Sequence, residues 1–207
     1  MPSPCPSALV DDSAFDRRLP APLRAQSEAH FTPVEVARVA IHMLAPRPGT
    51  TILDVGSGVG KFCLVAAHER PAARFVGVER RPSLVEIARH LAAETGIANV
   101  RFECGDALDL DWTGFDGFYL FNPFGEHLTT ADEVLDSSVE HDATAYITSV
   151  VAVQDRLATV RPSARVVTYH GFGGPVPDSF EQVLAVTIGW GRLVLWVKTD
   201  PAESGRM

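Results

Sequence analysis

The chain has 207 residues, of which 46% are hydrophobic and 21% are charged. This length and composition are typical of one compact globular domain, and they exclude a fibrous repeat, a wholly disordered chain and two full-sized domains. The formal net charge is −8, and Lys61 and Lys198 are the only lysines. A nonspecific nucleic-acid surface needs many cations, so the charge argues against a nucleic-acid partner.

Neither a membrane span nor a secretory signal is predicted. The most apolar stretch, residues 183–197, is too short to cross a bilayer and is interrupted by two glycines and Arg192. Residues 1–6 lack the basic and apolar regions of a signal peptide. We therefore expect a cytoplasmic protein without membrane contact.

The three cysteines are Cys5, Cys63 and Cys104. They cannot all pair, and none lies at a spacing typical of metal ligands. We expect reduced thiols and no metal site.

Three regions are predicted along the chain. Residues 1–27 are rich in Pro, Ser and Ala and show no sustained apolar period, which predicts a flexible N-terminal arm. A single domain is expected over residues 28–200, and a flexible tail over residues 201–207.

The first helix of the domain has a recognisable start. Thr32, Pro33 and Glu35 match an N-cap, a first helical position and a third helical position, and Phe31 precedes them as part of a hydrophobic staple. The apolar residues that follow recur at helical spacing, and the helix should end before Pro46. We expect this helix and the N-terminal arm to form a lid.

From residue 50 onward, strand-like and helix-like patterns alternate. The predicted strands cover residues 51–55, 74–79, 100–103, 117–121 and 165–169. The predicted helices are 61–69, a helix with a capping box at Ser83 and Glu86 that stops at Gly96, and a region of about 130–160 broken near Ser137. This alternation predicts a mostly parallel sheet with helices on both faces.

The C-terminal region departs from the alternation. Residues 180–187 and 192–199 are strand-like and are separated by too few residues for a helix. They should form an antiparallel hairpin at the end of the sheet. The predicted fold is therefore an α/β, doubly wound, mostly parallel seven-stranded sheet with a C-terminal antiparallel hairpin.

The strongest functional signal is the segment 54–60, Asp-Val-Gly-Ser-Gly-Val-Gly, where a predicted strand gives way to a helix. Its alternate glycines let the backbone turn sharply and let a ligand approach closely, and the helix presents free N–H groups. A Walker-type phosphate loop fits poorly, because Val55 stands at its first glycine and Phe62 follows Lys61. A dinucleotide fingerprint also fits poorly, since it requires a glycine at Lys61.

The pattern Asp-x-Gly-x-Gly-x-Gly resembles that of the class I S-adenosylmethionine-dependent methyltransferases. The resemblance covers about residues 31–199 and implies a Rossmann-like methyltransferase fold with S-adenosylmethionine as cofactor. It places Glu79 where the family holds both ribose hydroxyls, for which a carboxylate is a strong acceptor. It places Asp106 beside the adenine amino group and Asp54 near the methionine part. The implied cofactor residues are Asp54, Gly56, Ser57, Gly58, Gly60, Glu79, Arg80, Gly105, Asp106, Ala107 and Asn122.

The motif Phe121-Asn122-Pro123-Phe124 follows the fourth predicted strand, where the family presents residues beside the departing methyl group. It is similar to the Asn-Pro-Pro-aromatic motif of amino-group methyltransferases, which accepts hydrogens from a planar NH₂ group. This chain has one proline, so Phe124 takes the place of either the second proline or the aromatic residue. Nitrogen is therefore the expected acceptor atom, with oxygen and carbon left open.

The same motifs are also similar to those of histone lysine methyltransferases of the disruptor-of-telomeric-silencing type. Nothing else in the sequence indicates a nucleosome binder. If the acceptor has to lose a proton, candidate bases follow predicted strands four and five. The predicted catalytic residues are Asn122, Pro123, Phe124, Glu126, His127 and His170.

The sequence thus predicts methyl transfer to nitrogen on a small molecule or a protein side chain. A non-catalytic S-adenosylmethionine-binding module is the first alternative, and a nucleotide-dependent oxidoreductase is the second. The sequence does not indicate an oligomeric state.

Overall fold

The computed structural model describes residues 6–125 and 142–200. Seven α-helices lie in these ranges: α1 (Asp12–Asp16), α2 (Ala21–Ala25), α3 (Ser27–His30), α4 (Val34–Leu44), α5 (Lys61–Glu69), α6 (Pro82–Thr95) and α7 (Ala143–Thr159). Short 3₁₀ turns cover Ser7–Leu9, Ala107–Asp109 and Trp112–Gly114. None of the helices in the described ranges has the length and apolarity needed to cross a membrane.

Seven strands form one sheet in the order β3-β2-β1-β4-β5-β7-β6. The strands are β1 (Thr51–Val55), β2 (Arg74–Glu79), β3 (Val100–Cys104), β4 (Gly117–Phe121), β5 (Arg165–Tyr169), β6 (Phe180–Ile188) and β7 (Gly191–Lys198). The first five are parallel, and β7 runs antiparallel to both β5 and β6. The predicted doubly wound sheet and its C-terminal hairpin are confirmed.

Alternating side chains of the central strands supply two cores. On one face, residues such as Ile52 and Phe75 pack with α4, α5 and α6. On the other face, residues such as Leu53 and Val76 pack with α7 and with the 3₁₀ turns Ala107–Asp109 and Trp112–Gly114. Because both faces are covered, the strands read as nearly continuous apolar runs, which made their bounds predictable. The predicted break near Ser137 lies outside the described residues.

Two predicted helix caps are wrong. The side chain of Thr32 forms a hydrogen bond with the hydroxyl of Tyr119, and the first N–H of α4, on Val34, donates to Asp12 Oδ1 at 3.0 Å. No side-chain cap forms at α6, which begins with Pro82 rather than after Ser83. Tertiary contacts and the proline replace the local capping boxes, whereas Gly96 does end α6 in a left-handed conformation.

The described part of the N-terminal arm is folded, contrary to the prediction. Leu9, Phe15 and Leu19 are almost fully buried and belong to the core beneath α4 and α5. Leu9 lies on a 3₁₀ turn, Phe15 on α1 and Leu19 in the loop after α1, so these residues show no helical period in the sequence.

Lys61, the first residue of α5, forms ion pairs with the N-terminal segment. Its ammonium group lies 2.6 Å from Asp12 Oδ1 and 3.1 Å from Asp16 Oδ1, and its side chain is only 3% exposed. It also lies over the ring of Phe15, 5.2 Å from the ring centroid. A buried ammonium group needs such partners, so the segment and α5 depend on each other.

We predict that Phe15→Ala lowers the free energy of unfolding by about 3–5 kcal/mol, because it removes a buried ring from the core. Urea denaturation measures this change. Val10→Ala is the matched control, since Val10 is half exposed in the same segment and its truncation should change stability by less than about 0.5 kcal/mol. Equal, small effects of the two variants would mean that the segment is not part of the folded core.

Candidate active site

The candidate site lies at the carboxyl edge of the parallel strands. β1 pairs with β2 on one side and with β4 on the other, so the loops that follow β1 and β4 diverge. In doubly wound sheets, such a point of divergence is where ligands bind. A cleft runs along this edge, and we describe it in three sections named after Glu79, Asn122 and Asp54.

The glycine loop after β1 forms the floor of the cleft. Its backbone is left-handed at Gly56, Gly58 and Gly60, with φ of 75°, 52° and 78°. The N–H groups of Gly56 and Ser57 donate to the carbonyl of Val78, which ties the loop to β2. The loop conformation thus requires glycine, as the motif predicted.

The Glu79 section is an open cavity lined by the ends of β1 and β2 and by the residues that follow β3 and β4. Glu79 is buried at the end of β2; one carboxylate oxygen accepts the N–H of Gly58 at 3.1 Å, and the other accepts the N–H of Arg81 at 2.9 Å. Asp106 accepts the N–H of Leu108 and forms an ion pair with Arg80. Predicted cofactor residues that line this section are Gly56, Glu79, Arg80, Gly105, Asp106 and Ala107.

The Asn122 section adjoins the Glu79 section, because Gly56, Glu79, Arg81 and Pro123 line both. Asn122 has a φ of 38°, and its backbone N–H donates to the carbonyl of Gly171 at 3.0 Å. A turn after β4 therefore presents the exposed Asn122 side chain at the opening of the cleft.

The Asp54 section extends below the glycine loop toward Lys61 and Tyr119. The hydroxyl oxygen of Ser57 is buried here and has no hydrogen-bond partner among the described residues. A buried hydroxyl without a partner is costly, and a polar ligand in this section would satisfy it.

Some predicted site residues lie elsewhere. Gly60 lines none of the three sections; a side chain there would meet the ring of Phe102. Phe124 is buried in the second core and lines the Glu79 section, not the Asn122 section. His170 lines no section either, since its ring stacks on Trp190. Glu126 and His127 lie outside the described residues.

Several residues that line the cleft were not predicted as site residues, among them His30, Phe31 and Arg81. His30 and Phe31 line both the Asn122 and Asp54 sections, and Arg81 lines the Glu79 and Asn122 sections. A side chain at Gly58 would lie 3.2 Å from the ring of Phe31, so the N-terminal segment rests directly on the glycine loop. The sequence pointed to His30 and Phe31 only through the lid that was expected near residue 31.

A family model described as a methyltransferase domain matches residues 46–167, which is more than half of the chain. The chain belongs to the class I S-adenosylmethionine-dependent methyltransferase family. This match and the strand order together confirm the family that the glycine loop predicted.

Relatives of this methyltransferase include enzymes named for RNA substrates. It is 38% identical over 102 residues to a 23S rRNA (uracil-C5)-methyltransferase of Shewanella, a match that covers 47% of this chain and 22% of the relative. It is 41% identical over 81 residues to a tRNA (guanine-N7)-methyltransferase of Synechococcus, covering 39% and 33%. The chain thus spans only a fifth to a third of these relatives.

Solved structures show the same fold. An RNA methyltransferase of Salinibacter ruber in complex with S-adenosyl-L-homocysteine superposes with a TM-score of 0.59 at 22% identity, over 82% of this chain and 94% of that one. TrmN of Thermus thermophilus superposes with a TM-score of 0.62 at 19% identity, over 84% and 51%.

Burial gives Asp54 of this methyltransferase an unusual pKa. Removal from water raises the pKa of Asp54 from 3.8 to about 7, the thiol of Cys63 opposes this by donating to Oδ2 at 3.3 Å, and the nearby Glu79 carboxylate adds to the rise. Asp54 therefore changes charge near neutral pH in the folded protein.

We predict that Asp54 makes stability fall as pH rises from about 4 to about 7. In this window the folded state holds a proton on Asp54 that the unfolded state has lost, so unfolding becomes easier as pH rises. Urea denaturation across this range should show a steeper decline for the wild type than for Asp54→Asn. In contrast, Asp111→Asn, at an exposed carboxylate whose pKa is lowered by hydrogen bonds from Thr113, should keep the wild-type decline. An unchanged slope in Asp54→Asn would contradict the raised pKa.

Proposed function

We propose that this protein transfers the methyl group of S-adenosylmethionine to a nitrogen atom on a small molecule or a protein side chain. The observation that carries the proposal is the adjacency of two sections of the cleft. A section lined by the carboxylates of Glu79 and Asp106 shares four lining residues with a section that is lined by Asn122.

The residues of the Glu79 section fit a nucleoside. The Glu79 carboxylate has lone pairs beyond those used by the N–H groups of Gly58 and Arg81, and these can accept ribose hydroxyls. Asp106 would accept from an adenine amino group, and the apolar side chains of Val78 and Phe124 would cover the base. In the Asp54 section, Ser57 would donate to a carboxylate, and ionised Asp54 would pair with an ammonium group.

Bound S-adenosylmethionine supplies a methyl group that its sulfonium centre already activates. The chain has to align the acceptor and exclude water. We assign alignment to Asn122, whose side chain can accept hydrogens from an acceptor N–H group. Phe31 and Phe121 narrow the same section and exclude water with their rings.

A base is required only where the acceptor nitrogen carries a proton that must leave. We retain Glu126 and His127 as proposed bases, since they follow the Asn122 turn in the chain. His170 is a weaker choice, because its ring packs between Tyr169 and Trp190.

A second candidate function is methylation of RNA. The sequence matches to enzymes named for rRNA and tRNA favour it, although each covers a minority of the relative. The net charge of −8 and the presence of only two lysines argue for a small contact with RNA rather than a broad one. A non-catalytic cofactor-binding module is the remaining alternative. Measured methyl transfer to any acceptor would distinguish the two enzymatic functions from it.

We predict that Asn122→Gly abolishes most turnover while leaving the affinity for S-adenosylmethionine within a few-fold of the wild type. Glycine removes the amide but keeps the left-handed backbone, so the loop should persist. Loss of a polar contact that matters mainly in the transition state typically lowers kcat by about 10²–10³. Transfer of labelled methyl to an acceptor found by screening cell extract gives kcat, and calorimetry gives affinity.

Ser163→Gly is the matched control for this experiment. Ser163 is another described non-glycine residue with a left-handed backbone, and it lies at the opposite edge of the sheet. It should leave both kcat and affinity unchanged. Wild-type kcat in Asn122→Gly would show that Asn122 only shapes its turn, and no transfer by the wild type to any acceptor would favour the binding module.

A further inference from the structure

A cluster of three aromatic rings lies between the cleft, which Phe121 lines, and the protein surface, where Trp190 is exposed. Phe121 ends β4, His170 follows β5, and Trp190 lies in the turn between β6 and β7. The rings of His170 and Trp190 are stacked, with centroids 4.3 Å apart and an interplanar angle of 28°. Phe121 lies 5.9 Å from the first ring and 6.2 Å from the second. We call these three residues the aromatic platform.

The backbone around the platform is adapted to hold it. His170 has a φ of 59°, a left-handed conformation that costs a residue other than glycine about 1 kcal/mol or more. A side chain at Gly191 would overlap the imidazole ring of His170, so this position has to be glycine. Tyr169 supports the turn from below, because its hydroxyl donates to the carbonyl of Ile188 and its ring packs against the edge of Trp190.

The platform is next to the place where the acceptor would bind. Phe121 lines both the Asn122 and Asp54 sections. The N–H of Asn122 donates to the carbonyl of Gly171, which brings the loop that carries His170 against the Asn122 turn. Phe121 therefore belongs to the wall of the Asn122 section, and the rings of His170 and Trp190 lie beside Phe121.

Trp190 is 52% exposed, whereas Trp112 is buried and Trp196 is half-buried. A tryptophan that only stabilised the hairpin would gain by burying more of its ring. Its exposed surface is instead available to a flat ligand that enters the cleft. The platform offers flat aromatic faces and carries no cation, so it suits the flat face of an uncharged aromatic ring better than an acidic ligand.

We propose that the aromatic platform binds the flat face of a nitrogen heterocycle of the nucleobase type and so guides the acceptor ring toward Asn122. This inference rests on the proposed methyl transfer, and it narrows the acceptor to a planar heterocycle, on a small molecule or on RNA as in the second candidate function. Stacking on aromatic side chains tolerates many bases, because each base offers a π-face. The heterocycle is either a free base or nucleoside or a base within a single-stranded RNA.

Equilibrium dialysis tests the proposal with the protein saturated by S-adenosylhomocysteine, which keeps nucleosides out of the Glu79 section. The probes are the four labelled ribonucleosides and a short single-stranded RNA of mixed sequence. The variants are Trp190→Ala, Trp190→Phe and, as matched control, Val183→Ala, an exposed apolar residue near the far end of β6.

We expect the wild type to bind at least one probe and Trp190→Ala to bind it about 5- to 100-fold more weakly. Trp190→Phe should stay within about threefold of the wild type, since it keeps an aromatic face, and Val183→Ala should bind normally. The affinity for S-adenosylhomocysteine should be the same in all four proteins. Binding of a nucleoside as tightly as the RNA identifies a free heterocycle as the ligand, and binding of the RNA alone identifies a base within a strand.

Two results would overturn the proposal: Trp190→Ala that binds as tightly as the wild type, or a wild type that binds S-adenosylhomocysteine but none of the probes. Failure of the proposed function is a separate result. In that case the wild type does not bind S-adenosylhomocysteine. Probe binding by Trp190→Ala and by the wild type, measured in the absence of S-adenosylhomocysteine, still decides whether the rings stack a base.

Discussion

The candidate site depends on the pairing of β1 with β2 on one side and β4 on the other. Because of this arrangement, the loops that follow β1 and β4 diverge at the carboxyl edge of the sheet. A gap is left between these two loops. Glu79 then fixes one wall, because its carboxylate holds the N–H of Gly58 and the N–H of Arg81 together. The same carboxylate faces the cleft, so its structural role and its proposed binding role use different lone pairs of one group.

The N-terminal segment covers part of the gap between the loops, because His30 and Phe31 line two sections of the cleft. Phe31 rests on Gly58, and Lys61 at the start of α5 is held by Asp12 and Asp16 of α1. The segment therefore contacts the middle of the glycine loop at Gly58 and the residue that follows the loop, Lys61. A displacement of the N-terminal segment therefore displaces the glycine loop as well. The folding of this segment thus affects the shape of the cleft.

Much of the fold was predictable because its strands are buried on both faces and are separated by helices of clear period. The position of Glu79, Gly105 and Asp106 along the cleft was predictable because each lies at or just after the end of a parallel strand, and their binding of a cofactor stays a prediction. The fold of residues 6–30 was not predictable, because Leu9, Phe15 and Leu19 gain their burial from tertiary packing. The position of Phe124 was not predictable either. The direction of the turn after β4 depends on the hydrogen bond from the Asn122 N–H to the Gly171 carbonyl, which is a tertiary contact.

The most direct test of this account is a calorimetric titration with S-adenosylhomocysteine of the wild type, Glu79→Gln and Glu103→Gln, where Glu103 is a glutamate near the end of β3 that pairs with Arg101. The account predicts that the wild type binds, that Glu79→Gln binds about 10- to 100-fold more weakly because a charged acceptor is lost, and that Glu103→Gln binds normally. NADH should not compete. Wild-type affinity in Glu79→Gln, or displacement of S-adenosylhomocysteine by NADH, would contradict the assignment of the cleft.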